Sequence, residues 1–462
     1  MTQQTTSTPE QEQKTIPPPL AVQKPVSSRG IISLLVCISL LLLLITGLLV
    51  SNLSTSGSRQ SKGSTVDSHA SAKPDADQDD SPLSTPGNAS TSPLHLPTGQ
   101  YVVYEQQGKI YAVTLNGATP LLVSTPGYVY NRATPPLLTA TGQLLYSGDG
   151  LWLADIFDGT ATQIASLPSG QVITSLVLSS DGTSLAWSTE PLDGNSDGNV
   201  AIYAGSLRQS ALVYQHPISD CPCFRVFSFI NAKGKQADTT LLLTDDRGDH
   251  HAVQYGLWEL DLADSPSADP QHVLGEGSQQ GPLVLSANTN TLLYSSYEGF
   301  VPAPTDSSVP NDINALSYAN TLSLASINSA RLTLDARQVI LPEQHNLSNS
   351  AAYHWVTTPL FSPDGHTLVY VEFSSDVQTP FDRHNALYTV QISGSGSQSH
   401  IGKPQLLATS TSLFIELGPW LNSQILTFYS DDSIYAFDIH SKAVATIRHI
   451  GAYACIIGVI GQ

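Results

Sequence analysis

Residues 359–370 read PLFSPDGHTLVY, and this stretch decides the fold. An apolar run ends at the turn Ser362-Pro-Asp-Gly365, and a second apolar run follows the turn and ends at Tyr370. Short runs of β-branched, apolar and aromatic residues favour strands, whereas Pro and Asp-Gly interrupt them and form tight turns. The stretch therefore predicts two β-strands joined by a tight turn.

The second of these runs belongs to a unit that recurs seven times beyond residue 100. In each copy an apolar run, usually ending in an aromatic residue, precedes a turn, and a second run follows. The first runs end at Tyr104, Tyr146, Trp187, Leu243, Tyr294, Tyr370 and Tyr429, and the matching positions of the second runs are Tyr111, Trp152, Tyr203, Trp258, Leu322, Tyr388 and Tyr435. From Tyr111 to Tyr435 the repeat length averages about 54 residues, a period typical of propellers and solenoids.

Additional apolar pieces complete each unit. They lie downstream at 120–124, 162–166, 210–214 and 338–342, and upstream at 176–182, 283–289 and 359–365. Four strands per unit make a propeller blade. The sequence therefore predicts an all-β fold, a seven-bladed β-propeller over residues 98–462, with six or eight blades as alternatives.

The first unit lacks an upstream strand. Residues 453–461 are an apolar run that is predicted to be a strand but belongs to none of the seven units. We expect this C-terminal strand to become the innermost strand of blade one, because closing the ring removes exposed strand edges.

The turn Ser362–Gly365 followed by HTLVYVE resembles the repeat of bacterial TolB-like propellers, and is similar to WD-repeat and prolyl-oligopeptidase propellers. Residues 179–182, SSDG, followed by SLAW are the second match. The resemblance implies a propeller that binds proteins or small ligands. The resemblance identifies no residue of this chain as catalytic.

Residues 1–100 contain none of the chain's 18 Tyr, 11 Phe and 5 Trp, so they predict no globular core. Within them, Ile31–Val50 is uncharged, and fifteen of its twenty residues are Ile, Leu or Val. A helix of this length spans ~30 Å, the thickness of the hydrocarbon core. This predicts an uncleaved, single-pass transmembrane helix, and a cleaved signal peptide is the alternative.

Arg29 and Lys24 precede this helix, whereas the first basic residue after it is Arg59. The positive-inside rule places the N-terminus in the cytoplasm and the propeller outside the cell membrane. Residues 1–30 are then predicted to be a disordered cytoplasmic tail, and the Ser/Thr/Pro/Asp-rich residues 51–97 a disordered stalk.

The chain has 38 acidic and 19 basic residues, a net charge of −19. Such a surface repels nucleic acid and favours cations or basic partners. Nucleic-acid binding is therefore excluded as a function.

If the strands of a blade are labelled a to d from the channel outward, the b–c loops and d–a linkers open on one face. The b–c turns are short in blades one, two and seven, and enlarged in blades three to six, at 190–199, 245–255, 298–319 and 373–385. Enlarged neighbouring loops predict a binding face, and drift in tolerant loops is the alternative. Candidate binding residues on this face are Asp249, His250, His251, Asp312, Asp382 and Arg383.

The b–c loops of blades three to seven hold thirteen acidic residues, among them Glu190, Asp245, Asp431 and Asp432, against two arginines. In blade three, Asp193, Asn195 and Asp197 have the D-x-N-x-D-G spacing of calcium loops. The glutamate of a complete EF-hand is replaced by Ala204. The sequence therefore predicts a calcium site without an EF-hand, and a simple hairpin turn is the alternative.

Cys221 and Cys223 lie in the linker that enters blade four, and Cys455 lies in the C-terminal strand. A disulfide between the linker and Cys455 would have to cross the channel, farther than the ~7 Å that a disulfide permits between Cα atoms. A local disulfide and free thiols both remain open.

Enzyme motifs are incomplete: the Asp-box-like stretch at 180–187 has the wrong spacing. The favoured function is a membrane-tethered, non-enzymatic binding or scaffold module for an unidentified protein or small ligand. The alternative is a propeller hydrolase or lyase with carboxylates in its channel.

Overall fold

The computed structural model describes part of one compact unit that begins at Asp79. The described residues are 82–85, 94–131, 134–192, 198–220, 222–230, 239–245, 254–263, 269–286, 291–296, 321–328, 333–334, 337–341, 352–376, 383–394, 400–410, 412, 415–451 and 453–461. No helix within these ranges is long and apolar enough to cross a membrane. The predicted span Ile31–Val50 lies outside them and stays a prediction.

The described strands form seven blades, which confirms the all-β, seven-bladed propeller. Blades one to three contain β1 (Gln100–Gln106), β2 (Lys109–Thr114), β3 (Leu121–Leu122); β4 (Leu137–Leu138), β5 (Gln143–Ser147), β6 (Gly150–Asp155), β7 (Ala161–Ser166); and β8 (Gln171–Leu178), β9 (Ser184–Pro191), β10 (Asn199–Ser206), β11 (Gln209–Pro217). A short 3-10 helix, Ile218–Asp220, follows blade three.

Blades four and five share one long strand, which runs from the outer edge of blade four to the inner edge of blade five. They contain β12 (Phe224–Ile230), β13 (Thr240–Asp245), β14 (Gln254–Asp261), the shared β15 (Gln271–Leu285), β16 (Thr291–Ser296), β17 (Leu322–Asn328), β18 (Thr333–Leu334) and β19 (Gln338–Leu341). Blades six and seven contain β20 (Ala352–Phe361), β21 (Thr367–Asp376), β22 (Arg383–Ser393), β23 (His400–Ile401), β24 (Gln405–Ser410), β25 (Glu416–Trp420), β26 (Ile425–Ser430), β27 (Ser433–Asp438) and β28 (Val444–His449).

The last strand, β29 (Cys455–Gly461), closes the ring as predicted. It pairs antiparallel with β1 as the innermost strand of blade one, with Gln100 opposite Gly461 and Glu105 opposite Cys455. Each of the seven hydrophobic clusters lies between two adjacent blades, including one between blade seven and blade one. The two ends of the propeller sequence are therefore held together by one hydrogen-bonded sheet.

The recurring aromatic residues of the sequence are explained by pairing across the b and c strands. Tyr104 lies opposite Tyr111, Tyr370 lies opposite Tyr388, and both pairs of rings stack. The stacked pairs Tyr146–Trp152 and Trp187–Tyr203 occupy the same places in blades two and three. Cross-strand aromatic pairs stabilise a sheet beyond the area that they bury. In blade seven the partner of Tyr435 is Phe428 and not the neighbouring Tyr429.

The Ser-x-Asp-Gly turn joins strands a and b through one set of hydrogen bonds. The Ser362 hydroxyl donates to Asp364 over 2.6 Å and accepts from the Thr367 N–H, while Asp364 accepts from the His366 N–H. The same three bonds recur in blade three around Ser179 and Asp181. In both turns the hydrogen bonds to the carboxylate lower the pKa of the aspartate. The motif is thus structural, because its polar groups satisfy each other.

The glycine of this turn provides a test of the backbone geometry. Gly365 has φ +72°, and a Cβ at this position would meet nothing within 4 Å. Gly365→Ala should therefore destabilise the protein through the backbone alone, by about 1–2 kcal/mol, measured by thermal unfolding. Gly461→Ala is the matched control, because its Cβ also enters open space and its φ is not positive. Equal melting temperatures for both variants would contradict this account.

Part of the segment predicted as stalk packs on the propeller. Ser84 pairs with Thr409 on the outer strand of blade six through two backbone hydrogen bonds of 2.8 and 2.9 Å. Leu83 is buried in the cluster between blades six and seven. Leu94 and Leu96 pack against the cluster between blades seven and one. We call these residues the latch, since they contact both borders of blade seven.

Candidate functional site at the channel mouth

Five reactive or polar side chains lie near one another on the face that carries the b–c turns. They belong to blades seven and one and to the adjoining linkers, where these turns are short. Cys455 and Glu416 are the first residues of β29 and β25, the innermost strands of these blades. Glu105 lies near the end of β1, and Tyr128 and Tyr453 lie in the linkers that lead to blades two and one. Inner strands line the channel of a propeller. We therefore call Glu105, Tyr128, Glu416, Tyr453 and Cys455 the mouth cluster.

Glu105 is the most buried carboxyl group of the mouth cluster, with 3% of its surface exposed. Its Oε1 accepts a hydrogen bond from the N–H of Gly108 in the b–c turn. Burial raises the pKa of Glu105, and this hydrogen bond partly opposes the increase. Protonating the Glu105 carboxylate at neutral pH therefore costs less free energy than protonating a glutamate in water.

Tyr128 lies in the electrostatic field of Glu105 and Cys455, and its buried hydroxyl has no hydrogen-bond partner among the residues that the structure describes. Burial, followed by the charge of Glu105, raises the pKa of Tyr128 far above its ordinary value. The hydroxyl therefore stays protonated at neutral pH and can donate a hydrogen bond.

Tyr453 forms the other side of the mouth cluster. Its hydroxyl donates to Oε2 of Glu416 over 2.9 Å, and its ring packs edge-on against Tyr429 with 5.5 Å between centroids. Burial and the neighbouring Glu416 raise the pKa of Tyr453. Tyr453 is nevertheless 39% exposed, and neighbouring Tyr130 is 38% exposed. The site thus presents aromatic side chains and the half-buried Glu416 to solvent.

A nearby Ser–His–Asp group does not form a catalytic triad. Ser433 Oγ lies 2.9 Å from Nδ1 of His449, and Asp432 Oδ1 lies 3.2 Å from the same nitrogen. A triad requires the serine and the carboxylate on different ring nitrogens. Ser433 is also 4% exposed, so these residues stabilise the turn between β26 and β27.

Most residues that the sequence analysis selected lie outside the described part of the chain. These are the predicted calcium ligands Asp193, Asn195 and Asp197, and Asp249, His250, His251, Asp312 and Asp382 of the predicted binding face. Arg383 begins β22, but its side chain is also outside the description. Within the described ranges no group of three or more His, Cys, Asp or Glu side chains could hold a metal ion. Calcium binding stays a prediction.

Two acids counted in the predicted acidic face have structural contacts instead. Asp245 is 1% exposed, and its Oδ1 accepts a hydrogen bond of 2.8 Å from the Cys223 N–H. Glu190 lies 3.6 Å from a guanidinium nitrogen of Arg225, which also donates to the Thr174 carbonyl. Both acids stabilise the border of blades three and four, so the face has fewer solvated charges than the sequence count indicates.

Two cysteines lie in the described part of the chain. Cys223 is part of a disulfide, whereas Cys455 is a thiol.

Neither a protein-family model nor a curated protein sequence matches the chain. Solved structures do match, at low sequence identity. A periplasmic gluconolactonase from Pseudomonas aeruginosa is 14% identical, with a TM-score of 0.45 and coverage of 78% of this chain and 99% of the other. An oligogalacturonate lyase in complex with manganese is 14% identical, with a TM-score of 0.42 and coverage of 76% and 85%. A putative TolB from Agrobacterium tumefaciens is 12% identical, with a TM-score of 0.36 and coverage of 68% and 92%.

Two further matches are much longer than this chain, which covers 47% of an ancestral GH74 enzyme and 36% of the tricorn protease. The chain thus spans less than half the length of these two proteins. Similarity at this level carries no argument about fold or function, and the propeller fold rests on the strand topology.

The mouth cluster was missed in the sequence because its members come from the two opposite ends of the propeller sequence. Glu105 and Cys455 become neighbours only when β29 pairs with β1. The predicted ring closure contained this information, since it places the end of β1 beside the start of β29.

Proposed function

We propose that the protein is a non-enzymatic binding module, which holds a cationic group of a protein or small ligand at the mouth cluster. The anchor predicted at Ile31–Val50 would display the propeller on the outer side of the membrane. The acidic balance of the chain, −19, favours the approach of such a ligand.

The observation that carries this proposal is the combination of carboxylates with exposed tyrosine rings at the channel mouth. Glu416 offers a carboxylate acceptor, the buried Glu105 adds negative charge, and Tyr453 and Tyr130 expose part of their aromatic side chains. Ammonium and guanidinium groups bind carboxylates through charge-assisted hydrogen bonds and bind aromatic faces through cation–π contacts. The two kinds of group therefore favour the same ligand.

Binding of an octa-arginine peptide to the full chain should depend on the carboxylates of the mouth cluster. Glu105→Gln combined with Glu416→Gln keeps the shape and one oxygen acceptor of each side chain but removes two negative charges. Affinity should fall by roughly tenfold or more, since a hydrogen bond to a charged group contributes about 1.5–3 kcal/mol. Fluorescence anisotropy at 50 and 200 mM salt would measure it, and the unmodified protein should bind more weakly at high salt.

Asp269→Asn is the matched control, because Asp269 is an exposed acid in the loop between β14 and β15, on the opposite face. It removes a charge without touching the mouth cluster. If the control weakened binding as much as the double variant, binding would reflect overall charge, and the assignment to this site would be wrong.

One observation favours the second candidate, a hydrolase or lyase. The buried Glu105 has a raised pKa, as a general acid requires. In that case a glycoside or lactone substrate would be turned over, and Glu105→Gln would abolish turnover while substrate binding persists.

A further inference from the structure

A cavity of about 400 Å³ opens on the other face of the propeller, at the border of blades two and three. Asp155 ends β6, and Asp158 belongs to the turn between β6 and β7; both line the cavity. Arg208, which belongs to the turn between β10 and β11 of the next blade, also lines it. Gln143 and Gln163 of blade two complete its polar lining. The cavity is separate from the mouth cluster, which lies on the opposite face.

The two carboxylates are held in place by their own turn. Asp155 Oδ1 accepts from the N–H groups of Phe157 and Asp158, over 2.9 and 3.1 Å. Asp158 Oδ1 accepts from the N–H and the hydroxyl of Thr160, over 2.7 and 2.6 Å. Each bond uses Oδ1 only, so the Oδ2 atoms remain available. The bonds from Thr160 lower the pKa of Asp158, and its carboxylate is therefore ionised at neutral pH.

Opposite charges line this cavity without contacting each other. Within the described residues Arg208 takes part in no ion pair or hydrogen bond, and the same holds for the side-chain amides of Gln143 and Gln163. Arginine often pairs with carboxylates in a bidentate manner, and here Arg208 lines the same cavity as Asp155 and Asp158 without an ion pair to either. A ligand carrying both charges would satisfy the arginine and the two acids.

We propose that this cavity binds a small zwitterion, such as an amino acid or short peptide. Its ammonium group contacts Asp155 and Asp158, and its carboxylate contacts Arg208. The glutamine amides offer donors and acceptors to the peptide groups between these ends. The volume lies within the range of about 300–1,000 Å³ that is usual for small-ligand sites.

Isothermal titration calorimetry of the full chain with triglycine tests this proposal. Triglycine carries both charges, N-acetyl-triglycine lacks the ammonium group, and triglycine amide lacks the carboxylate. We expect triglycine to bind and each modified peptide to bind at least fivefold more weakly. No binding of triglycine, or equal affinity for all three peptides, would overturn the proposal. Displacement of triglycine by glucose at equal concentration would also overturn it, because that result assigns the cavity to a neutral polyol.

Two variants test which side chain of the cavity binds which end of the peptide. Arg208→Gln should weaken triglycine binding at least fivefold and leave affinity for triglycine amide unchanged. Asp158→Asn keeps the acceptor for Thr160 and should weaken triglycine but not N-acetyl-triglycine. Lys403→Gln, an exposed cation on blade six, is the control and should change nothing. If Arg208→Gln weakens all three peptides equally, the contact between Arg208 and the carboxylate is disproved.

Discussion

A chain that ends at residue 454 is expected to lose its cooperative unfolding transition and to aggregate. Without β29, the inner edge of β1 loses six paired residues. The truncation also removes Ile460, which is 4% exposed between blades one and two. Truncating one such side chain to alanine costs about 2–5 kcal/mol, against a total stability of about 5–15 kcal/mol. Size-exclusion chromatography and calorimetry would measure the result.

A rescue variant restores the missing strand β29 by placing it at the N-terminal end of the propeller sequence. Residues 453–461, followed by a short Gly/Ser turn, are joined to a chain that begins at Gln100 and ends at residue 454. Because Gly461 lies opposite Gln100, a tight hairpin can connect them. This variant should recover a cooperative transition. A truncated chain that melts like the full chain would show that β29 does not close the ring.

Leu83→Asp is expected to release the latch and to lower the melting temperature by several degrees. Leu83 is 7% exposed within the cluster between blades six and seven. Even replacement of such a leucine by alanine costs about 2–5 kcal/mol, and a buried unpaired carboxylate adds a desolvation cost. Limited proteolysis should then cut the chain before residue 97 more rapidly than in the unmodified protein.

Ser84→Asp is the control for this prediction. It introduces the same charge one residue later, where the side chain is exposed, and it keeps the backbone pairing with Thr409. Its melting temperature should stay close to that of the unmodified protein. If both variants melt at the same lower temperature, added charge and not loss of the Leu83 contact is responsible.

The fold could be predicted because a short stretch of sequence specifies the strands of each blade, and this pattern is repeated along the chain. The run TLVY ending at Tyr370 already contains the b strand, and the aromatic at Tyr388 marks its partner. The closure by β29 followed from a missing strand at one end and a surplus strand at the other. The shared strand β15 could not be predicted, since its residues 275–280 contain no apolar alternation to mark where blade four ends.

The site could be predicted less well, because its residues come from distant parts of the chain. A count of acids in loops cannot separate Asp245, which is buried against a backbone N–H, from a solvated carboxylate. Leu83, Leu94 and Leu96 lie in a polar, Pro-rich context. Their neighbours predict disorder, and only the clusters on blades six, seven and one explain their packing.

The latch also determines where mechanical force would enter the propeller. If the chain is pulled from its N-terminal side, as a membrane anchor would do, the load reaches the pair Ser84–Thr409 before it reaches β1. Two backbone hydrogen bonds and the buried Leu83 oppose that load, whereas β1 is held by ladders to both β2 and β29. The pair would yield first and the packing of Leu94 and Leu96 next, and the chain between Ser84 and Gln100 could then extend to roughly 55 Å. The latch would thus act as an extensible element that absorbs tension before the ring itself is strained.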